Sequence, residues 1–148
     1  MIDLKKIHEM WAKDCVINTA KLDEASRQTP MLHSKYLQIL STAKLQLKKV
    51  ENAQKVLLRD KWLYYNGKMS EEDLVKHGWK PDPYNGLKIL KGEMEYWYNS
   101  DSDIQKTEER IHYYKELIHV LTEIIDNLKW RHQTVKNIIS WKQFESGN

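Results

Sequence analysis

Between Lys44 and Lys68 the chain carries seven basic residues, Lys44, Lys48, Lys49, Lys55, Arg59, Lys61 and Lys68, against two acids, Glu51 and Asp60. That net +5 exceeds the +3 of all 148 residues together. The segment ends in DKWLYYNGKM, where Trp62, Tyr64 and Tyr65 stand among the cations. Cations attract phosphates and flat rings stack on bases, and together they hold a single nucleic-acid strand without reading its sequence. Lys44, Lys48, Lys55, Arg59, Lys61, Trp62, Tyr65 and Lys68 are therefore the candidate strand-binding residues. A plainer reading of the same residues is a solvated helix face followed by packing aromatics, and the pattern alone leaves both open.

Other chemistry has little support. No GxxxxGK or GxGxxG phosphate motif occurs. His112 and His119 stand seven apart, too far and too few for a metal site, and read as surface histidines. The acids are scattered over helix faces with no secluded pair for acid–base work. Cys15 is the sole cysteine, so no intrachain disulfide forms, and a buried small core thiol is expected. Neither an enzyme nor a cofactor or metal is indicated.

The elements that would position the basic residues are helical. Charged residues make up 30% of the chain while Gly and Pro number five and three, which favours helix. A short helix opens the chain with Leu4, Ile7 and Trp11 on one face, and a second short piece runs from Thr19 to Gln28. Thr29-Pro30 reads as an N-cap with proline in the first turn. From there Tyr36, Leu40, Ala43, Leu47, Val50, Leu57 and Tyr64 recur at alternating spacings of four and three, with Gln54 and Lys61 as polar members of the same seam. Lys44, Lys48, Lys55 and Arg59 fall on the opposite, solvent face. Tyr64 points inward, and Trp62 and Tyr65 point toward a strand or a neighbouring subunit. The helix stops at Asn66-Gly67.

Ser70-Glu71-Glu72-Asp73 starts a short helix that Gly78 ends, and Trp79–Gly86 is a loop in which Trp79 and Tyr84 read as packing anchors. Ser102 with Gln105 suggests a capping box. The longest periodicity follows. Ile104, Thr107, Ile111, Tyr114, Ile118, Leu121, Ile125, Leu128, His132, Val135, Ile139 and Lys142 form heptad a and d positions, with Leu117, Ile124 and Ile138 at g. His132 at a would tune register. A single helix from Asp103 to about Phe144 would be ~63 Å long, whereas a compact chain of this size is only about 40 Å across. The stripe must be covered by the other long helix, by further copies, or by both. Ile111, Leu117, Ile118, Leu121, Ile124, Ile125, Leu128, Val135, Ile138 and Ile139 are the expected oligomerisation residues.

The expected fold is all-α: two long amphipathic helices, short N-terminal and middle helices, and a coiled-coil-like C-terminal helix building an oligomeric bundle. Residues 1–148 form one domain, with N-terminal helices over 1–66, an irregular segment over 67–101 and an oligomerisation helix over 102–148. No apolar run approaches a membrane span, the N-terminus does not read as a signal peptide, and a reducing cytoplasm is expected.

Taken in order, KLDEA from Lys21, MLHSKYL from Met31, RDKWLYYNG from Arg59, KGEM from Lys91, SDSD from Ser100 and the ending IISWKQFESGN resemble the UvsY family, the recombination mediators of tailed phages. The resemblance runs nearly the whole length and departs most between Ser70 and Leu90. It implies single-stranded DNA binding, a homo-oligomeric ring of six or seven copies, and help to a RecA-like recombinase in replacing single-strand-binding protein, in the cytoplasm of the phage's host. It also implies that Arg59 and Lys61 match the family's DNA-binding cations. These two lie ~200° apart around a helix, so either the helix frays before Tyr64 or neighbouring subunits each supply one. The rival is a structural coiled-coil scaffold that ignores nucleic acid.

Overall fold

A computed structural model describes residues 2–147. Among these the regular structure is entirely helical: α1 (Leu4–Asp14), α2 (Leu22–Tyr65), α3 (Glu71–His77), a 3₁₀ turn (Lys91–Glu93), α4 (Met94–Asn99), α5 (Ser102–Lys129) and α6 (Arg131–Glu145). The chain divides into two compact units, one of residues 1–46 with 114–148 and one of Leu47–Tyr113. Both boundaries fall inside the long helices α2 and α5.

In the first unit α1 is capped by Asp3, whose carboxylate accepts from the Lys5 amide. Ile7 is buried and Trp11 meets Tyr36 edge-on at 5.6 Å. The Tyr36 hydroxyl and the Lys35 ammonium both donate to Asp14, at 2.8 and 2.7 Å, and buried Arg131 donates to the Asp14 carbonyl at 3.2 Å. Burial opposes the Asp14 charge, but the bonds from Lys35 and Tyr36 and the nearby Lys35 and Arg131 charges outweigh it and hold its carboxyl below the usual range. Cys15 is exposed, contrary to expectation, because it caps the C-terminus of α1 instead of facing the core.

Two helix boundaries differ from the sequence reading. The expected start at Thr29-Pro30 does not occur: α2 begins at Leu22 and carries Pro30 inside it. Upstream burial of Ala25 and the Thr29 hydroxyl bond to the Ala25 carbonyl hold the turn, and the Ser26 carbonyl that Pro30 cannot serve is at the exposed surface. The expected single C-terminal helix is two, broken at Trp130. There the Trp130 amide reaches back only three residues to Asn127, and His132 Nδ1 lies 2.9 Å from the Lys129 carbonyl.

The seam is wider than read and shifts along the helix. Tyr114, Leu117, Leu121, Ile124, Leu128, Arg131 and Val135 are buried at d and g, and Ile104 and Ile125 are buried at a, while His132 and Ile139 at a are exposed and Ile118 at a and Ile138 at g are half-buried. His132 therefore lies outside the buried seam of this unit. Leu117, Leu121, Ile124, Ile125, Leu128 and Val135, expected between subunits, are consumed within the unit because α1 and the first half of α2 are folded into the same core. Of the expected oligomerisation set only Ile139 is exposed, with Ile111, Ile118 and Ile138 half-buried.

In the second unit α2 ends as read. The Lys68 amide reaches the Leu63 carbonyl at 2.9 Å, the Gly67 amide reaches Tyr64 at 3.2 Å, and Gly67 takes φ +67°, a Schellman ending. α3 starts at Ser70, whose hydroxyl accepts from the Asp73 amide, and stops at Gly78 with φ +69°. α5 is capped by Asp101 rather than Ser102: one carboxylate oxygen accepts from the Asp103 and Ile104 amides at 2.9 and 3.1 Å. A carboxylate at a helix N-terminus gains from the helix dipole as well as from the bonds.

Because proline in a helix interior removes a hydrogen bond and crowds the preceding turn, Pro30→Ala should stabilise the protein by about 1–2 kcal/mol. Thermal unfolding followed by far-UV circular dichroism reads this as a raised Tm.

Candidate nucleic-acid interface

The seam of α2 dictates what happens at Lys61. Tyr36, Leu40, Ala43, Val50 and Tyr64 are buried along it, Leu47, Gln54 and Leu57 are half-buried, and Lys61 follows the same register at 3% exposure. Gln54 is met by Thr107, its amide 3.2 Å from the hydroxyl. A buried ammonium is costly unless paired and hydrogen-bonded. Lys61 Nζ lies 3.0 Å from Asp101 and 2.9 Å from Asp103. Asp101 also accepts from the Tyr65 hydroxyl at 2.7 Å.

Burial works against the Asp101 charge, but the bonds from Tyr65, Lys61 and the Ile104 amide, with the Lys61 charge, outweigh it and hold the carboxyl below its ordinary range. Burial, then the bond to Asp101, pushes the Tyr65 hydroxyl well up, so it stays a neutral donor. The aromatics close around this pair. Lys61 Nζ sits 4.0 Å from the Trp79 ring centroid and 5.5 Å from that of Tyr64. The Tyr64 hydroxyl donates to the Lys80 carbonyl, and the Tyr84 hydroxyl to the Tyr65 carbonyl, so Trp79 and Tyr84 anchor the loop as expected.

Two sequence expectations are corrected here. Lys61, a candidate strand-binding cation by charge and by resemblance, is turned into the core by the seam in which its spacing sets it. Tyr65 is not free to stack on a base, because its hydroxyl is spent on Asp101 and its ring packs among Tyr64, Tyr84 and Tyr98. The helix does not fray before Tyr64; it runs through Tyr65.

The outward residues are arranged differently. Lys44, in the first unit, and Lys48, Lys55, Arg59 and Lys68, in the second, are exposed, as is Trp62 at 44%. Lys68 Nζ lies 4.8 Å from the Trp62 ring centroid, a cation over a partly exposed aromatic face. Beside it a cleft of about 350 Å³ opens between the end of α2 and α3. Val56, Leu63 and Met69 give it apolar surface, and Arg59, Lys68 and Lys76 bring three cations to it against Asp60 and Asp73. Arg59 is fixed by Asp60, with Nε and Nη2 at 3.2 and 3.1 Å from one oxygen. His77 Nε2 lies 4.0 Å from the other Asp60 oxygen and its ring stacks on Trp79 at 4.2 Å. The arrangement offers phosphate-binding charge, a stacking ring and an apolar floor together. Among the described residues no cluster of His, Cys, Asp or Glu has the makings of a metal site, and no helix is long and apolar enough to cross a membrane.

Residues 10–148 match the UvsY family, described as a recombination, repair and ssDNA binding protein. The chain belongs to the UvsY family. It is 27% identical over 144 residues to the recombination protein uvsY of Enterobacteria phage T4, covering 97% of this chain and 98% of that one. Crystal structures of the bacteriophage T4 recombination mediator protein UvsY superpose with TM-scores of 0.80 and 0.75 in two lattice types, each at 25% identity. The first covers 99% of both chains, and the second 95% of this chain and 98% of that one. This is thus a family of DNA-binding recombination mediators rather than of enzymes.

For a UvsY-family chain the spacing encodes the α2 seam and the outward cations but not the parts played by Asp101, Asp103, Lys76 and His77. A signal for the acids existed: a lysine in an apolar seam demands carboxylates, and Asp101 and Asp103 stand in an acidic stretch at a helix start. Lys76 and His77 depend on how α3 returns beside α2, which no local pattern encodes.

Asp101→Ala removes a Lys61 partner, the Tyr65 acceptor and the α5 cap at once, and should cost about 3–5 kcal/mol of stability. Because its folded-state value is depressed, the contribution of Asp101 is fully present above the ordinary carboxylate value of about 4 and is lost as pH falls through the lower folded value. Urea unfolding from pH 7 to pH 2 should therefore show a shallower acid limb in the Asp101→Ala protein than in the wild type.

Proposed function

We propose that this chain grips single-stranded DNA with the exposed cations of α2 and the cleft beside α3, and that several copies acting together help load a RecA-like recombinase in place of single-strand-binding protein. The observation that carries this is the convergence of Arg59, Lys68 and Lys76 on one cleft next to the partly exposed Trp62. Phosphates take the cations, a base takes the indole, and Lys48 and Lys55 extend the track along the part of α2 that lies in the second unit. Lys61 and Tyr65 are left out of direct contact. The T4 relative's name as a recombination mediator supports the biological role, which would be played in the host cytoplasm.

Single sites of this kind are weak, and tightness comes from many at once. We assign self-association to the outer face of α6. Val135 is buried, whereas Trp141 and Phe144 face out; Lys142, also exposed, donates to the Thr19 carbonyl. Both are more than half exposed and stack on each other at 5.4 Å, the kind of apolar surface a second copy would cover. A ring of such copies presents the same cleft repeatedly to one strand, which would weaken the hold of a competing protein coat and leave room for recombinase to nucleate.

In fluorescence-anisotropy titrations with oligo-dT, Arg59→Ala and Lys68→Ala should each weaken binding and reduce the slope of log affinity against log salt by about 0.7 for each engaged copy. Unchanged affinity and slope in both variants would favour the scaffold reading. Trp141→Ser with Phe144→Ser should lower the mass seen in sedimentation and weaken oligo-dT binding with it; full-size assembly in that variant would move the contact off α6.

A further inference from the structure

We infer that Lys61 is a positioning residue for strand binding: its ammonium never meets the DNA, and it acts by holding Trp79, and through Trp79 the α3 wall of the cleft. The inference rests on the proposed role of that cleft.

Arg59 and Lys61 are two residues apart on an unbroken helix, ~200° around it. If one faces the strand the other cannot, and their partners say which is which. Lys61 is 3% exposed and bridges Asp101 and Asp103, so reaching a phosphate would mean abandoning both carboxylates inside the unit. Arg59 is exposed and lines the cleft.

Lys61 is nevertheless connected to the cleft by a short chain of contacts. Its Nζ lies 4.0 Å from the Trp79 centroid. The Trp79 amide closes the end of α3, donating to the Leu74 carbonyl at 3.0 Å while Gly78 donates to Val75 at 3.1 Å. The place of Trp79 thus fixes the last turn of α3, which carries Lys76 and His77. His77 stacks on the Trp79 ring within 13° of parallel, and it faces Asp60, the carboxylate that orients Arg59. Release of Trp79 would let α3 drift from α2 and spread Lys76 away from Arg59 and Lys68. A lysine that leaves the strand untouched can in this way govern how well the strand is held.

The test compares Lys61→Met, Trp79→Leu, their combination and Arg59→Ala in oligo-dT titrations over a salt series at 10 °C, with folding confirmed by circular dichroism. Loss of the ammonium–indole contact should weaken binding about tenfold in each of the first two. Their combination should be no weaker than either alone, and the salt slope should match wild type. Two results would overturn the inference: a slope reduced by about 0.7 in Lys61→Met, which marks a lost phosphate contact, or wild-type affinity in folded Lys61→Met, which marks a purely structural lysine. Failure of the cleft reading looks different, since Arg59→Ala would then keep the wild-type slope. Should Lys61→Met not fold, Lys61→Met with Asp101→Asn and Asp103→Asn removes the buried charges together and carries the same comparison.

Discussion

A lysine placed in an apolar seam constrains the whole second unit. Its stem continues the register set by Val50, Leu57 and Tyr64, so its ammonium arrives in a place water does not reach. A charge there survives only against opposite charge with good geometry. Asp101 and Asp103 provide it, and this fixes where α5 must begin. Asp101 serves twice, because the same carboxylate caps the helix it starts. Tyr65 completes its bonding, and Trp79 and Tyr64 lay their rings beside the ammonium. The end of the basic helix, the loop after it and the start of the last long helix are therefore mutually dependent.

This explains how aromatics and cations come to be mixed at the end of α2. The mixture has an inner and an outer layer. Inside, Lys61, Tyr64, Tyr65 and Trp79 satisfy one another and the two aspartates. Outside, Arg59, Trp62 and Lys68 remain available, and α3 adds Lys76 and His77 to the same cleft. The inner layer supplies rigidity and the outer layer supplies charge. A protein whose net charge is only +3 thus gathers Arg59, Lys68 and Lys76 around one cleft.

How far the sequence could be read depended on the range of the interaction. The α2 seam was legible because spacing of four and three is a property of the helix itself, and it placed Lys61 inside even while family resemblance suggested a DNA contact. The Schellman ending at Gly67 and the Ser70 start of α3 were equally local. Pro30 misled because packing of Ala25 outweighs a local preference to begin a helix there. The widening of the C-terminal seam toward g was hidden because Ile118 and Ile139, which are not buried, look as apolar as Leu117 and Ile124, which are. Only the neighbours decide, and Arg131 turning toward Asp14 at the Trp130 break selects the g side. The cleft was the least legible part, since its two walls meet only after α3 folds back.

The most direct test of this inside-and-outside division is lysine acylation by an N-hydroxysuccinimide ester, quantified by mass spectrometry with and without oligo-dT. The account predicts that Lys48, Lys55, Lys68 and Lys76 react in the free protein and are protected by DNA, while Lys61 is unreactive in both states. Rapid modification of Lys61 in the free protein, suppressed by DNA, would contradict it.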